Sequence, residues 1–208
     1  MKRIFVTGIG TEVGKTVVAA IITEALGADY WKPIQSGCTD TTDTETVKSL
    51  VTNTQSVFHP EAYKLPLPLS PHAAAQAAGI TIHLEKIKLP ETRNNLVIEG
   101  AGGLLVPINN QNLLIDLITQ LKAEVILVSK NYLGSINHTL LSWEALQQRH
   151  IKVLGLIFNG EPNPQTESFI LNYTGLTHLL SVLPALTLTP AVISDYATQL
   201  RQKLDALP

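Results

Sequence analysis

The chain has 208 residues, a length that favours one domain over two at roughly 150 residues per domain. Only 15% of its residues are charged, 45% are hydrophobic, and the formal net charge of −2 lacks the basic excess of most nucleic-acid-binding proteins. Cys38 is the single cysteine, no leader segment is evident, and no apolar run approaches the ~20 residues of a membrane helix. We therefore expect one domain over residues 1–208, located in the cytoplasm, with neither nucleic acid nor membrane as a partner.

Short apolar segments bounded by glycine, proline or polar residues have the pattern of buried parallel strands, at residues 4–7, 30–32, 96–99, 125–129, 153–159 and 179–183. Helix-like stretches lie between most of them, at residues 16–26, 113–122, 137–149, 166–173 and 192–207. The proline-rich segment 65–71 is expected to be a rigid surface loop before a short helix near residues 72–78. The alternation predicts an α/β fold with a mostly parallel sheet and helices on both faces.

The first predicted strand runs directly into a glycine-rich loop, GIGTEVGKT at residues 8–16, and then into an apolar helix. This is the context of a phosphate-binding loop, in which consecutive N–H groups and the positive end of a helix face one anion. In such loops a lysine in the position of Lys15 reaches the outer phosphates, and the hydroxyl of a residue such as Thr16 binds Mg²⁺. Five residues separate Gly8 from Gly14, where the usual motif has four, so we predict a long variant.

A dinucleotide-binding turn is an alternative, because Gly8 and Gly10 after a strand also begin the Rossmann fingerprint. That fingerprint needs a third glycine where Val13 stands. It also needs an acidic residue at the end of the second strand, where Lys32 stands. We therefore favour a nucleoside triphosphate as the ligand, over a dinucleotide or a glycine turn without a ligand.

Four polar residues at predicted strand ends or in loops are candidates for chemistry. Glu99 ends a buried strand at the edge where open α/β sheets bind ligands; it is a candidate Mg²⁺ ligand, or only hydrogen-bonds the glycine turn that follows. Asp43 either binds the metal or caps a following helix. Lys32 can stabilise charge on a transferring group, or be an ordinary surface lysine. Asn159 can bind the edge of adenine, or simply form a turn.

Four motifs, in this order, resemble the dethiobiotin synthetase family of ATP-dependent ligases in biotin biosynthesis: GIGTEVGKT at 8–16, WKPIQSG at 31–37, EGAGG at 99–103 and LGSINHTLL at 133–141. The resemblance covers residues 4–159. It implies a single-domain, homodimeric, magnesium-dependent P-loop NTPase-like fold that converts 7,8-diaminononanoate, carbon dioxide and ATP into dethiobiotin, ADP and phosphate.

The same resemblance implies roles for individual residues. The catalytic residues are Lys15, Lys32 and Thr11, and the Mg²⁺ ligands are Thr16, Asp43 and Glu99. The implied nucleotide-binding residues are Glu12, Val13, Gly14, Lys15, Thr16, Val17, Asp43, Glu99, Gly100, Ala101, Gly102, Asn159 and Gly160. The implied substrate-binding residues are Ser36 and, at a helix start contributed by the second subunit of a homodimer with shared active sites, Gly134, Ser135, Ile136 and Asn137.

The chain departs from the family's frequent residues at three places: at Ile9 and Gly10, at Gly160, and at residues 181–184. These departures point to looser selectivity for the nucleotide base rather than to another reaction. The rival interpretation is a dimeric nucleotide-switch ATPase of the partitioning or septum-site type. Those proteins usually carry an extra lysine early in the loop, and residues 8–13 contain none.

Overall fold

The computed structural model describes residues 1–38 and 41–205. Its strands are β1 (Arg3–Gly8), β2 (Asp29–Trp31), β3 (Ile34–Ser36), β4 (Phe58–His59), β5 (Tyr63–Leu65), β6 (Leu96–Gly103), β7 (Glu124–Lys130), β8 (Val153–Asn159) and β9 (His178–Val182). Its α-helices are α1 (Lys15–Leu26), α2 (Asp43–Leu50), α3 (Pro71–Ala77), α4 (Leu114–Leu121), α5 (Ser135–Gln148), α6 (Pro164–Thr174) and α7 (Pro190–Asp205). Within the described residues, no helix is both long and apolar enough to cross a membrane.

Seven strands form one sheet in the order β4-β2-β6-β1-β7-β8-β9, and each of its pairs of neighbouring strands is parallel. The predicted mostly parallel sheet is thereby confirmed, and all six predicted strands belong to it. One of them is longer than predicted, because β6 continues from Glu99 through the glycines to Gly103. The carboxyl ends of the central strands β6, β1 and β7 therefore meet at one edge of the sheet.

The sheet is covered on both faces, as a parallel sheet of apolar strands requires. Successive side chains of a strand point to opposite faces. Ile4 and Val6 accordingly belong to one buried cluster together with residues of α1, α2 and α7. Phe5, between them, belongs to a second cluster with residues of α3, α4, α5 and α6. The prediction of helices on both faces is confirmed.

The start of α2 shows which residue caps this helix. The residue before the helix, Thr42, accepts a hydrogen bond on its side chain from the N–H of Glu45, and the Glu45 carboxylate accepts one from the N–H of Thr42. This reciprocal capping box satisfies two N–H groups at the helix start. The capping alternative for Asp43 is therefore wrong, and its carboxylate is available to other partners.

Other helix ends shift by a few residues. Helix α5 begins at Ser135, two residues before the predicted start, and follows Gly134, whose φ of 103° lies in the left-handed region. The predicted helix over residues 192–207 corresponds to α7, which begins at Pro190. Residues 206 and 207 of that prediction lie outside the described residues.

Candidate active site

The glycine-rich loop joins β1 to α1 at the carboxyl edge of the sheet. The N–H of Ile9 donates to the carbonyl of Val128 (3.1 Å), which anchors the loop to β7. Gly14 has a φ of 95°, and no side chain caps the helix that follows it. The first N–H groups of α1 are thus available to an anion, as in a phosphate-binding loop. The Lys15 ammonium lies over the loop and donates to the carbonyl of Gly10 (2.7 Å).

Asn159 holds the loop from the side. It ends β8, and its Nδ2 donates to the carbonyl of Val13 (2.9 Å). A Cβ atom on Gly14 would overlap this amide, so Gly14 is required for space as well as for its left-handed backbone. The N–H of Gly160 donates to the carbonyl of Val182 (2.9 Å). Asn159 therefore contacts the phosphate loop beside the main cleft.

An interlocked charge cluster lies below the loop. Thr16 Oγ1 is 3.0 Å from Asp43 Oδ1 and 2.9 Å from Glu99 Oε1. The Lys32 ammonium pairs with both carboxylates, lying 2.9 Å from Glu99 Oε1. The hydroxyl of Tyr30 donates to Glu99 Oε2 (2.7 Å). Glu99 is 1% exposed and Lys32 is 4% exposed, and charges this deeply buried are tolerated because they are paired.

The charges in this cluster set one another's protonation. Burial alone would lower the pKa of Lys32, but the carboxylates of Glu99 and Asp43 outweigh burial and raise it. Burial alone would raise the pKa of Asp43, but the Lys32 ammonium, the Thr16 hydroxyl and the Lys15 charge together outweigh burial and lower that pKa. Burial, with the nearby Lys32 charge, lowers the pKa of Lys15 to about 8. At neutral pH the cluster therefore holds a charged Lys32 beside an ionised Asp43.

Three oxygen atoms converge within this cluster, one each from Thr16, Asp43 and Glu99. Mg²⁺ prefers such hard oxygen ligands and is usually bound through one or two carboxylates, with water and substrate phosphates completing its shell. The described residues contain no group of three or more His, Cys, Asp or Glu side chains placed to hold a metal ion. The residues present thus fit a Mg²⁺ ion that is shared with phosphates.

The charge cluster forms the floor of a cleft of about 630 Å³, a volume typical of small-molecule sites. The structure brings most of the predicted residues into it, namely Thr11, Glu12, Gly14, Lys15, Thr16, Val17, Lys32, Ser36, Asp43, Glu99, Ala101 and Gly102. Two predicted residues lie behind the cleft instead. Val13 is buried in the core, and Gly100 packs so closely on Phe5 that a Cβ there would lie 2.8 Å from the ring.

Further lining residues were not predicted: Gln35, Pro68, Leu69, Ser70, Pro71 and Val106. The expected surface loop is confirmed for residues 66–70, which are exposed or half-buried and lie outside regular structure, whereas Leu65 is buried in β5 and Pro71 begins α3. Residues 68–71 also form a wall of the cleft. Gln35 joins two parts of the site, since its Oε1 accepts from the N–H of Asp43 (3.2 Å) and its Nε2 donates to the carbonyl of Gly37 (3.0 Å). The proline content indicated a rigid surface loop, but no pattern indicated that it borders the cleft.

The predicted substrate-binding helix start, residues 134–137, lies at the beginning of α5 and does not line the cleft of its own subunit. No side chain caps α5, so the alternative that Ser135 or Asn137 merely caps the helix is wrong. The N–H of Ser135 donates to the carbonyl of Tyr132 (3.0 Å). Among the described residues, no backbone carbonyl accepts from the N–H groups of Ile136 and Asn137. Their role toward a second subunit stays a prediction.

The sequence is similar to a well-populated group of curated proteins. Residues 2–191 match a family model described as an AAA domain. The chain is 52% identical to the ATP-dependent dethiobiotin synthetase BioD of Cytophaga hutchinsonii, over 96% of this chain and 97% of that protein. It is 50% identical to the enzyme of the same name from Christiangramia forsetii, over 98% of each chain. The corresponding protein of Paramagnetospirillum magneticum is 43% identical over 93% of this chain.

Solved structures with a similar fold are more distant in sequence. The cell division ATPase MinD of Pyrococcus furiosus matches with a TM-score of 0.64 at 14% identity, over 99% of each chain. A ParA family ATPase from Chlorobium tepidum TLS matches with a TM-score of 0.57 at 11% identity, over 95% of this chain and 99% of that one. At such low identity the similarity shows the fold alone, and it confirms the predicted P-loop NTPase-like fold.

Proposed function

Since the chain belongs to the family of ATP-dependent dethiobiotin synthetases, ligases of biotin biosynthesis, we propose that it converts 7,8-diaminononanoate, carbon dioxide and ATP into dethiobiotin, ADP and phosphate. The observation that carries this proposal is the position of Lys32. Its buried ammonium lies beside Glu99 and Asp43, and both carboxylates contact the phosphate-loop residue Thr16. A fixed positive charge next to a phosphate loop is what transfer of a phosphoryl group requires.

ATP binds with its phosphates along residues 10–16 and against the N-terminus of α1. The Lys15 ammonium then leaves the carbonyl of Gly10 and contacts the outer phosphates. Thr16, Asp43 and Glu99 would hold a Mg²⁺ ion that accompanies the nucleotide, and Thr11 at the loop lines the same space. When bound, Mg²⁺ neutralises charge that develops on the transferring phosphoryl group.

The chemistry proceeds through anionic species. One substrate amine adds to carbon dioxide and, on losing a proton, forms a carbamate. A carbamate oxygen attacks the terminal phosphorus of ATP, so that ADP leaves and a mixed carbamic-phosphoric anhydride forms. The second amine attacks the carbonyl carbon, loses a proton and expels phosphate, which closes the cyclic urea. Lys15 and Lys32 hold the negative charge in place, and preorganised charge of this kind stabilises a transition state.

Two polar groups at the cleft edges recognise the rest of the substrates. Ser36 lines the cleft, and its Oγ is buried without a hydrogen-bond partner among the described residues, which supports a contact to the diamine. Asn159 uses one amide N–H on Val13, and we assign its remaining N–H and its carbonyl oxygen to the adenine edge. Gly160 offers no acidic acceptor beside it, so we expect looser selectivity for the base.

The functional unit in this proposal is a cytoplasmic homodimer of single-domain subunits. Each active site is completed by the start of α5 from the other subunit, where first-turn N–H groups bind the substrate carboxylate. Exposed apolar side chains near that helix start support an interface there, since Leu133 is 103% exposed and Leu141 is 56% exposed. The single Cys38 suits a reducing compartment.

Mixing two inactive variants tests the shared site. Lys15→Ala removes the loop cation, and Asn137→Pro removes a first-turn N–H while Lys15 stays intact. If sites are shared, some mixed dimers regain one complete site and activity returns. Asn137→Ala, which keeps the N–H, serves as the matched control and should remain active. A mixed dimer without activity, together with undiminished diamine affinity in Asn137→Pro, would place the carboxylate elsewhere.

The reaction itself is tested by incubating the protein with ATP, Mg²⁺, bicarbonate and 7,8-diaminononanoate and detecting dethiobiotin by mass. We expect product that depends on all four components. A folded protein that hydrolyses ATP but forms no dethiobiotin would favour a nucleotide-switch ATPase instead.

A further inference from the structure

Tyr30 is a fully buried residue that contacts the charge cluster from the core side. It lies in β2, where the parallel register pairs it with Val97 of β6. Residues two apart on a strand share a face, so Glu99 projects from the same face of the sheet as Val97. The Tyr30 hydroxyl reaches the next position along that face and donates to Glu99 Oε2 (2.7 Å). The proposed reaction gives the contact between Tyr30 and Glu99 no role.

The contact divides the two oxygen atoms of Glu99 between different partners. Oε2 accepts from Tyr30, whereas Oε1 lies 2.9 Å from both Thr16 Oγ1 and Lys32 Nζ. The tyrosine ring itself has little freedom, because it is enclosed in the core and lies against Phe58 with the ring centroids 6.0 Å apart. A carboxylate held at Oε2 by such a fixed donor cannot rotate freely, so it presents Oε1 toward the phosphate loop.

We propose that Tyr30 is a positioning residue that fixes the orientation of Glu99, so that Oε1 faces the Mg²⁺–nucleotide site and the metal ion binds there with full affinity. The proposal rests on the proposed function, because it requires Glu99 to serve the metal ion. Groups that orient a metal ligand from behind typically contribute 10–100-fold to metal affinity. Phenylalanine at this position keeps the ring but leaves Oε2 without its donor, and Glu99 can then rotate.

The direct test is Mn²⁺ binding to Tyr30→Phe in the presence of ADP, with free Mn²⁺ followed by electron paramagnetic resonance and no turnover involved. We expect binding about 10-fold weaker than in the wild type, at the low end of that range. In the assay, the apparent Mg²⁺ requirement should rise while kcat at saturating Mg²⁺ stays within about threefold. Tyr63→Phe is the matched control, because its hydroxyl accepts from the N–H of His83 (3.0 Å), outside the charge cluster and the nucleotide site, and its Mn²⁺ binding should be unchanged.

A lower melting temperature with unchanged Mn²⁺ affinity in Tyr30→Phe would make the contact purely structural and overturn the proposal. If that variant fails to fold, 3-fluorotyrosine at position 30 keeps both ring and hydroxyl. Its fluorine resonance should then shift when Mg²⁺ is added with ADP, and an unmoved resonance would overturn the proposal. The wild-type arm separates the two hypotheses: failure of wild-type protein to bind Mn²⁺ with ADP refutes the metal site and Tyr30's role with it, whereas a failure confined to the variant comparison refutes Tyr30 alone.

Discussion

Asp29 and Glu99 are buried carboxylates on the neighbouring strands β2 and β6, 3% and 1% exposed. Asp29 opens β2 at the amino end of the sheet, whereas Glu99 lies beyond the carboxyl end of β2, beside the phosphate loop. Glu99 contacts an ammonium group and two hydroxyl groups. The partners of Asp29 are a hydroxyl, a backbone N–H, an imidazole and an amide, from Thr92 (2.7 Å), Val57 (3.0 Å), His59 (3.0 Å) and Asn94 (3.2 Å).

The partners of the two carboxylates differ in whether they border the cleft. The groups around Asp29 tie two loops to the start of β2, and nothing there opens onto the cleft. Glu99 instead shares Oε1 with Thr16 and Lys32, which both line the cleft and can transfer their contacts to a metal ion and phosphates. Two carboxylates of similar burial thus differ in their surroundings, because structural donors saturate Asp29, whereas two of the three groups that contact Glu99 line the cleft.

The largest effect should follow from Lys32→Gln, which keeps a hydrogen-bond donor at Glu99 but removes the charge. We expect kcat to fall about 10²–10³-fold, as when one stabilising donor is lost from a transition state, with a much smaller change in the KM for ATP. Steady-state kinetics measure both. Lys152→Gln, which removes an exposed pair with Glu124, is the control and should be fully active. A change confined to the KM for ATP would show that Lys32 only binds the nucleotide.

Asp29→Asn should give the opposite result. The side chain keeps its shape but loses charge-assisted hydrogen bonds, so we expect the free energy of unfolding to fall by about 1–3 kcal/mol. The kcat should stay within about twofold of wild type, because the site lies at the other edge. Urea unfolding and the product assay report the two quantities. Reduced turnover at unchanged stability would show that Asp29 serves the reaction rather than the fold.

The pH dependence of the free energy of unfolding should also distinguish the wild type from Asp29→Asn. Burial alone would raise the pKa of Asp29, but its four hydrogen bonds, of which those from Thr92 and the N–H of Val57 have the largest effect, together outweigh burial and lower that pKa. A lowered folded-state pKa adds stability above the unfolded value of about 3.9, and this stability is lost as the pH falls through the folded pKa. The advantage of the wild type over Asp29→Asn should therefore shrink below about pH 4. An advantage that stays constant from pH 7 to pH 3 would contradict this.

The smallest changes in stability should come from removing one hydroxyl at each carboxylate. Thr92→Val deletes a donor to Asp29 and should lower the free energy of unfolding by about 1 kcal/mol without altering the Mg²⁺ requirement. Thr16→Val deletes the hydroxyl beside Glu99 and should raise the Mg²⁺ requirement while leaving stability nearly unchanged. Unfolding curves and Mg²⁺ titrations of the activity cover both variants. Identical behaviour of the two variants would show that the hydroxyl groups beside Asp29 and Glu99 have the same role.

The strongest sequence patterns predicted the elements that build the site. The apolar segments and the 8–16 loop are long enough to be recognised, and they place Lys15, Thr16 and Glu99 at one edge of the sheet. Strands β3, β4 and β5 have two or three residues each and no two adjacent apolar residues, whereas the equally short β2 has two adjacent aromatic residues. The choice between ligand and cap at Asp43 depended on Thr42 taking the cap.

Contacts that depend on strand register could not be predicted in this way. The pairing of Tyr30 with Val97 brings a tyrosine hydroxyl to Glu99 from a residue 69 positions away. A buried tyrosine on a strand does signal a need for a hydrogen-bond partner, but it does not say which one. Gln35 of β3 likewise contacts the start of α2 only once both elements are in place.

The proposed reaction couples ATP cleavage at the Lys32–Glu99 cluster to ring closure. The most direct measurement supplies ¹³C-labelled bicarbonate, 7,8-diaminononanoate, ATP and Mg²⁺, and quantifies ADP and dethiobiotin together. We predict equal amounts of ADP and dethiobiotin, with the label in the ureido carbonyl carbon and little ADP formed without the diamine. ADP production that does not require the diamine would show that ATP cleavage is not coupled to ring closure. Unlabelled product would show that the ureido carbon does not come from bicarbonate.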